Sequence, residues 1–539
     1  MATQSQFKND QIGRVTPYAF HPFRTTIETF MHQNNVLEVT TLDECYRLAA
    51  KEPGTIMLDQ TIVGAQALGL EEGTRVLVFN DNAITGRQAS ARTLINDATR
   101  ESHSATLRDR LFKARNRTFY KASAYVGLHE NFMVKAHLVV PEGYANTLYS
   151  WLLNFQIASK PWDEIYQASR VFEEGDIFIY SDPDHEGAPS ALFDEAYNAA
   201  ALFGLPYFGE HKKGTLTLAW SIASRQGYVA AHGGLKKVER PGKAPYVFSV
   251  FGLSGSGKST LTHTKSQKFP KAVVLHDDAY VLDQSTKETI ALEPSYFDKV
   301  ADYPTSSPDN AYLLTMQNVG VTRNDEGLLV PVTEDIRCGN GRAIKSVLWS
   351  ENRVHHIHEP LNAIFWIMKD EALPPILKID DPILASTLGA TLATKRSSAE
   401  HGADTTKLAF VPYANPFSLY PLRVDYEEFK RLFGEGGVTC YVLNTGHYGA
   451  KKIPPQTTLG LLDALYEESI AWTPMTQDGA VMAAVLEAFP LKQDPDSIAL
   501  LKARIEQRMA FLSTLDARDA LDEECRLALA HWQHDLVIK

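Results

Sequence analysis

The chain has 539 residues, 44% of them hydrophobic and 22% charged, the balance of a globular protein too long for a single core. Its formal net charge of −12 argues against nucleic acid as the main partner, because a phosphate backbone calls for a basic face. The cysteines Cys45, Cys338, Cys440 and Cys525 are far apart and form no metal spacing, which points to free thiols in a reducing, cytoplasmic setting. No apolar run approaches the ~20 residues that span a bilayer, and the polar start, Met1 to Pro17, lacks the apolar core of a signal peptide.

Residues 42–50 have the spacing of a helix, and 75–80 read as a strand that runs into the loop Ile84-Thr85-Gly86-Arg87. Further strands are expected at 131–140, 177–180 and 214–220. The charged stretch Glu210-His211-Lys212-Lys213 reads as a loop before the last of these. The Pro/Gly punctuation at 239–245 suggests a boundary, with an N-terminal domain over 1–240 and a C-terminal domain over 241–539. Alternating strands and helices give an α/β fold class.

The strongest motif follows the strand expected at 246–251. Gly252-Leu253-Ser254-Gly255-Ser256-Gly257-Lys258-Ser259 has glycines, a lysine and a serine at the spacing of a phosphate-binding P-loop. The glycines let several N–H groups converge on one anion. Lys258 can reach the β- and γ-phosphates of a nucleotide, the Ser259 hydroxyl can ligate Mg²⁺, and Thr260 continues into a helix whose N-terminus faces the phosphates. A second apolar run, 272–275, ends in His276-Asp277-Asp278, where a carboxylate can hold the cation that bridges the phosphates.

Downstream, 281–345 is polar and turn-rich, 362–368 and 439–444 read as buried strands, and 458–468 and the segment after 496 read as amphipathic helices. The region from about 470 to 539 is expected to be a helical tail. Its Leu500, Leu501, Ile505, Met509 and Leu512 are expected to pack on the body or make a subunit contact, so a monomer or small homo-oligomer is expected.

Taken in order, these blocks resemble the ATP-dependent phosphoenolpyruvate carboxykinases. Ile84–Arg87 is similar to that family's substrate-carboxylate loop, and Tyr207-Phe208-Gly209-Glu210-His211-Lys212-Lys213-Gly214 to its Tyr-Gly-Gly-Glu-Met-Lys-Lys-Gly block. His232, the P-loop, Asp277-Asp278, Arg353-Val354, Leu443-Asn444-Thr445-Gly446 and the segment from Lys451 to Thr458 follow in the family's order. The resemblance implies a two-domain architecture, the C-terminal P-loop domain carrying a mixed sheet. It implies reversible conversion of oxaloacetate and ATP into phosphoenolpyruvate, ADP and carbon dioxide, a gluconeogenic carboxy-lyase reaction on small molecules away from membranes.

It also implies Mn²⁺ held by Lys213, His232 and Asp278, with Mg²⁺ on Ser259. Arg87, Tyr207 and Arg353 would bind substrate; Lys258, Asp277, Lys213 and Arg353 would act in catalysis. Lys452 and Thr458 would contact nucleotide. Several stretches depart from the family pattern, among them Gln88-Ala89-Ser90-Ala91-Arg92, Ala279-Tyr280-Val281-Leu282 and Gly233-Gly234-Leu235 after His232, and Lys452 stands where an arginine is usual. These departures leave two alternatives open: a kinase of this type acting on another small acid, and a catalytically inactive nucleotide-binding regulator.

Overall fold

The computed structural model describes residues 21–80, 84–253, 255–304, 307–334, 339–395 and 408–537. The expectations for Met1 to Pro17, for Ser254 and for Cys338 lie outside these residues. The chain divides into two compact units. The first draws on Met1–Gln226 and Ile290–Glu351, the second on Gly227–Thr289, Asn352–Ser397 and Ala403–Lys539. The boundary expected at 240 thus lies inside the second unit, and the chain revisits the first. Sheet pairing explains the return: Leu313–Gln317 runs parallel to Arg75–Phe79, with Thr315 opposite Leu77.

The first unit is built on an eight-stranded mixed sheet. The long hairpin Phe119–His129 and Phe132–Pro141 passes the pairing on to Ile177–Asp182 and Ala199–Phe203. Phe30, Phe119, Val139, Tyr180 and Phe203 form its core on one face. The turn-rich region holds short strands, Tyr296–Lys299, Leu313–Gln317 and Arg342–Lys345, in a second, five-stranded sheet.

One expectation fails here. Residues 214–220 are not a strand but the middle of the helix Phe208–Arg225, which begins before the charged residues and carries them in its first turns. The helix is buried on nearly every side from Gly214 to Ala223. A helix without a solvated face shows no 3.6-residue alternation, so its apolar run is indistinguishable from that of a buried strand.

In the second unit, Tyr246–Phe251, Ala363–Met368 and Thr439–Asn444 lie side by side and parallel at the centre of an eight-stranded sheet. The loops that leave them therefore emerge at one edge, the carboxyl end where α/β sheets bind ligands. Phe248, Phe365, Tyr441 and Tyr466 pack beneath that edge. The tail expected to be helical from about 470 starts instead with two strands of this sheet, Trp472–Pro474 and Val481–Ala484. The helices Pro495–Leu512 and Glu523–His534 follow, and the first buries Leu501, Ile505, Arg508 and Leu512. Among the described residues no helix is long and apolar enough to cross a membrane.

The helix Leu422–Gly434 buries Asp425, whose carboxylate accepts a 2.7 Å hydrogen bond from the Tyr420 hydroxyl. Burial pushes its pKa up to about 7. A carboxyl raised in the folded state binds more protons folded than unfolded, so its contribution to stability falls as pH rises from about 4 through about 7. Asp425→Asn is therefore expected to raise the melting temperature at pH 8 and leave it nearly unchanged at pH 5, measured by thermal denaturation at both pH values.

Candidate functional site

The second unit supplies a phosphate cradle. The strand Tyr246–Phe251 ends at Gly252, and Gly255 and Gly257 take left-handed φ values of 81° and 101° before the helix Lys258–His263 begins. Those conformations admit glycine with little strain and turn successive amides to one side. Lys258 is buried, whereas Ser259 and Thr260 are exposed. The Lys258 ammonium lies 3.3 Å from Asp278 Oδ1.

The strand Ala272–His276 delivers the two acids. Asp277 is buried, 3.4 Å from His263 Nε2. Burial pushes its carboxyl up, but the hydrogen bond and charge of His263, with Lys258 nearby, outweigh burial and hold it well below the ordinary carboxylate range. Asp278 faces His232, whose Nε2 is 2.9 Å from Asp278 Oδ1. Register produces this pairing, because Tyr228–His232 runs antiparallel to Ala279–Asp283 with His232 opposite Ala279.

His232 Nδ1 donates to the carbonyl of Ala414. A carbonyl can only accept, so Nδ1 carries a proton and Nε2 is the atom turned toward the carboxylate. A ring nitrogen and a carboxylate oxygen 2.9 Å apart share a proton or a cation. The donor set therefore fits a divalent metal, one imidazole and one carboxylate whose second partners already fix their orientation.

Arg353 sits beside this strand, in a parallel bridge to Val274. Thr458 is buried on the helix Pro455–Glu467, while Lys452 is exposed on a two-residue strand paired with His447–Tyr448.

The first unit supplies a basic, partly buried group. Glu210, in the first turn of the helix Phe208–Arg225, lies 3.4 Å from Arg92 Nη2 and 3.9 Å from Arg87 Nε. Burial lowers the Arg92 pKa to about 10, with Glu210 opposing the shift. The Arg87 loop is pinned by Asn318, which accepts from the Thr85 N–H at 2.8 Å and donates to the Thr85 carbonyl at 2.7 Å. Tyr207 is buried at the start of the helix, and a Cβ on Gly209 would run into its ring. Lys213 is half-buried, with its ammonium 5.9 Å from the centre of the Trp220 ring.

The structure thus joins Lys258, Asp278 and His232 in one cluster, with His263 on Asp277 beside it. It joins Arg87 to Glu210 in another. Several partners were invisible in the sequence. Gln317 accepts from the Phe208 N–H and donates to the Pro206 carbonyl, holding the peptides that flank Tyr207. Glu293, fully buried, pairs with Lys212 at 2.9 Å and accepts from Asn154 at 2.6 Å. These contacts join residues 81 to 139 positions apart, and no local pattern carries them.

The sequence model of the phosphoenolpyruvate carboxykinase family matches residues 81–491. The chain belongs to this family. Curated relatives include three named as phosphoenolpyruvate carboxykinase (ATP). That of Aeropyrum pernix is 27% identical over 52% of this chain and 58% of its own length. That of Methylorubrum populi is 22% identical over 75% of this chain and 78% of its own. One from Cereibacter sphaeroides is 24% identical over 50% of this chain and 52% of its own. The chain thus spans little more than half the length of two of these carboxykinases.

The buried Lys212–Glu293 pair next to Lys213 gives a stability test. Removing one partner strands a buried charge, at a cost of about 3–5 kcal/mol. Lys212→Met is expected to lose that much in urea unfolding, and the double variant Lys212→Met, Glu293→Gln to regain most of it.

Proposed function

We propose that this chain is an ATP-dependent phosphoenolpyruvate carboxykinase, acting on oxaloacetate and ATP to give phosphoenolpyruvate, ADP and carbon dioxide. The observation that carries the reading is the cluster of Lys258, Asp278 and His232 at the mouth of a P-loop, in a chain of this family. A nucleotide-binding loop alone fits many activities. A histidine 2.9 Å from the carboxylate that faces the P-loop lysine is not part of ordinary P-loop kinases, whose metal is held by the loop hydroxyl and an acid.

His232 and Asp278 are assigned as ligands of Mn²⁺, with Lys213 as the third ligand the family resemblance implies. A lysine can ligate only as the neutral amine, so the cation must lower its pKa far below the ordinary value near 10.4. When bound, the metal supplies a Lewis acid for the substrate carbonyl. Arg87 clamps a substrate carboxylate with its fork of donors, a task a lysine does less well. Arg353 spans substrate and γ-phosphate, and Tyr207 lines the substrate pocket.

Decarboxylation leaves an enolate, whose oxygen attacks the γ-phosphorus in line as the bond to ADP breaks. Lys258 and the loop amides neutralise the charge that develops on the phosphoryl oxygens. Ser259, aided by Asp277, is assigned to Mg²⁺ on the nucleotide. Leu253, Ser254, Thr260, Lys452 and Thr458 are assigned nucleotide contacts. The implied compartment is the cytoplasm, and the buried free thiols of Cys45, Cys440 and Cys525 suit a reducing one.

Mn²⁺-stimulated formation of oxaloacetate from phosphoenolpyruvate, ADP and bicarbonate, followed by coupled reduction of oxaloacetate, is the direct assay. Lys258→Met is expected to lower turnover at least about a hundredfold, the loss typical of one transition-state donor. No turnover above background in wild-type protein that binds ADP would remove the proposed reaction.

A further inference from the structure

A P-loop can turn its amides inward only if its carbonyls turn outward and find partners there. In this chain two neighbouring loops provide them. The Lys369 ammonium, at the end of the strand Ala363–Met368, donates to the Gly255 carbonyl at 2.6 Å. The Thr445 hydroxyl, at the end of Thr439–Asn444, donates to the Ser256 carbonyl at 2.8 Å. Both donors leave strands that run parallel to the P-loop strand, so the sheet itself brings them to the same edge.

The two loops also hold each other. Thr445 N–H donates to the Met368 carbonyl at 3.0 Å, and a Cβ on Gly446 would sit 3.3 Å from Lys369 Cα. The residues after Lys369 are gripped from the C-terminal helix Pro495–Leu512. Arg504 Nε donates to Asp370 Oδ1 at 3.2 Å and its Nη2 to Glu371 Oε1 at 2.6 Å. Asp370 is itself buried, and its carbonyl accepts from Asn444 at 2.7 Å. A continuous chain of contacts therefore runs from the tail helix through Asp370 and Glu371 to Lys369 and the phosphate loop. The tail helix begins at Pro495, beyond the residues 81–491 that the family model matches.

We propose that Lys369 is a positioning residue for the phosphate loop, and that Arg504 of the tail helix holds Lys369 in place through Asp370 and Glu371. The C-terminal helix is then a working part of the nucleotide site. Lys369 acts on the loop's carbonyl side, so it orients the amides that cradle the phosphates common to ADP and ATP. The inference rests on the nucleotide-binding part of the reading above.

The test is equilibrium binding of ADP and ATP to the full chain, by calorimetry with Mg²⁺ present. Lys369→Met is expected to weaken both nucleotides by the same factor, about tenfold, the scale of one charge-assisted hydrogen bond. Lys369→Arg should restore most of the affinity. Arg504→Met is expected to weaken binding about threefold, measured below the melting temperature of the variant. The double variant should bind no more weakly than Lys369→Met alone, because Arg504 acts through Lys369. Should Arg504→Met fold poorly, Glu371→Gln removes one arm of the grip at a more exposed carboxylate.

Unchanged affinity in Lys369→Met, or losses that multiply in the double variant, would overturn the proposal. A loss confined to ATP would overturn it as well, since it would make Lys369 a γ-phosphate ligand. The readout is binding, not turnover. A chain that binds ADP but makes no oxaloacetate refutes the proposed reaction and leaves this measurement intact. A wild-type chain that binds no ADP overturns both.

Discussion

The second unit depends on the geometry of peptide groups at one sheet edge. A loop that binds polyphosphate must present amides to the anion, and every amide turned inward leaves a carbonyl turned outward. Three parallel strands end together here, and each contributes to the solution. The first becomes the loop, and the others send a lysine and a threonine to its back. The aromatic core under the edge makes that arrangement rigid, since close-packed interiors transmit displacement rather than absorb it.

The same principle of fixing one partner by satisfying another recurs at His232, a proposed metal ligand. The Ala414 carbonyl accepts from Nδ1 of His232, which orients the ring so that Nε2 faces Asp278. The residues around that carbonyl are unusual. Tyr413 and Ala414 both have left-handed φ, 50° and 54°, without being glycine. Such conformations cost energy and persist where the surroundings enforce them. Here Tyr413 is buried with its hydroxyl against Ser386, and its ring stacks on Phe429. In the first unit Gln317 plays the corresponding part for Tyr207, and Asn318 for the Arg87 loop.

Much of this was legible in the sequence, and the reason is local chemistry. The P-loop, the acid pair, the parallel strands and the tail helix each depend on residues close together in the chain. The class of fold and the family follow from the order of such blocks. What could not be read was of two kinds. The helix Phe208–Arg225 looked like a strand because burial on nearly all sides removed its periodicity. The partners that orient the site, Gln317, Glu293, Ala414, Lys369 and Arg504, lie far in sequence from the groups they hold. Their residue types are ordinary, and only the folded chain gives them a task. The return of 290–351 to the first unit belongs to the same class, because it depends on one strand pairing.

The central claim is that His232 and Asp278 hold a catalytic cation beside the phosphate loop. Titration of Mn²⁺ into the protein, followed by electron paramagnetic resonance of the free ion, measures this without turnover. The account predicts one tight site in wild-type protein, weakened at least about tenfold in His232→Gln, while ADP affinity changes little. An unaltered Mn²⁺ affinity in that variant would contradict it.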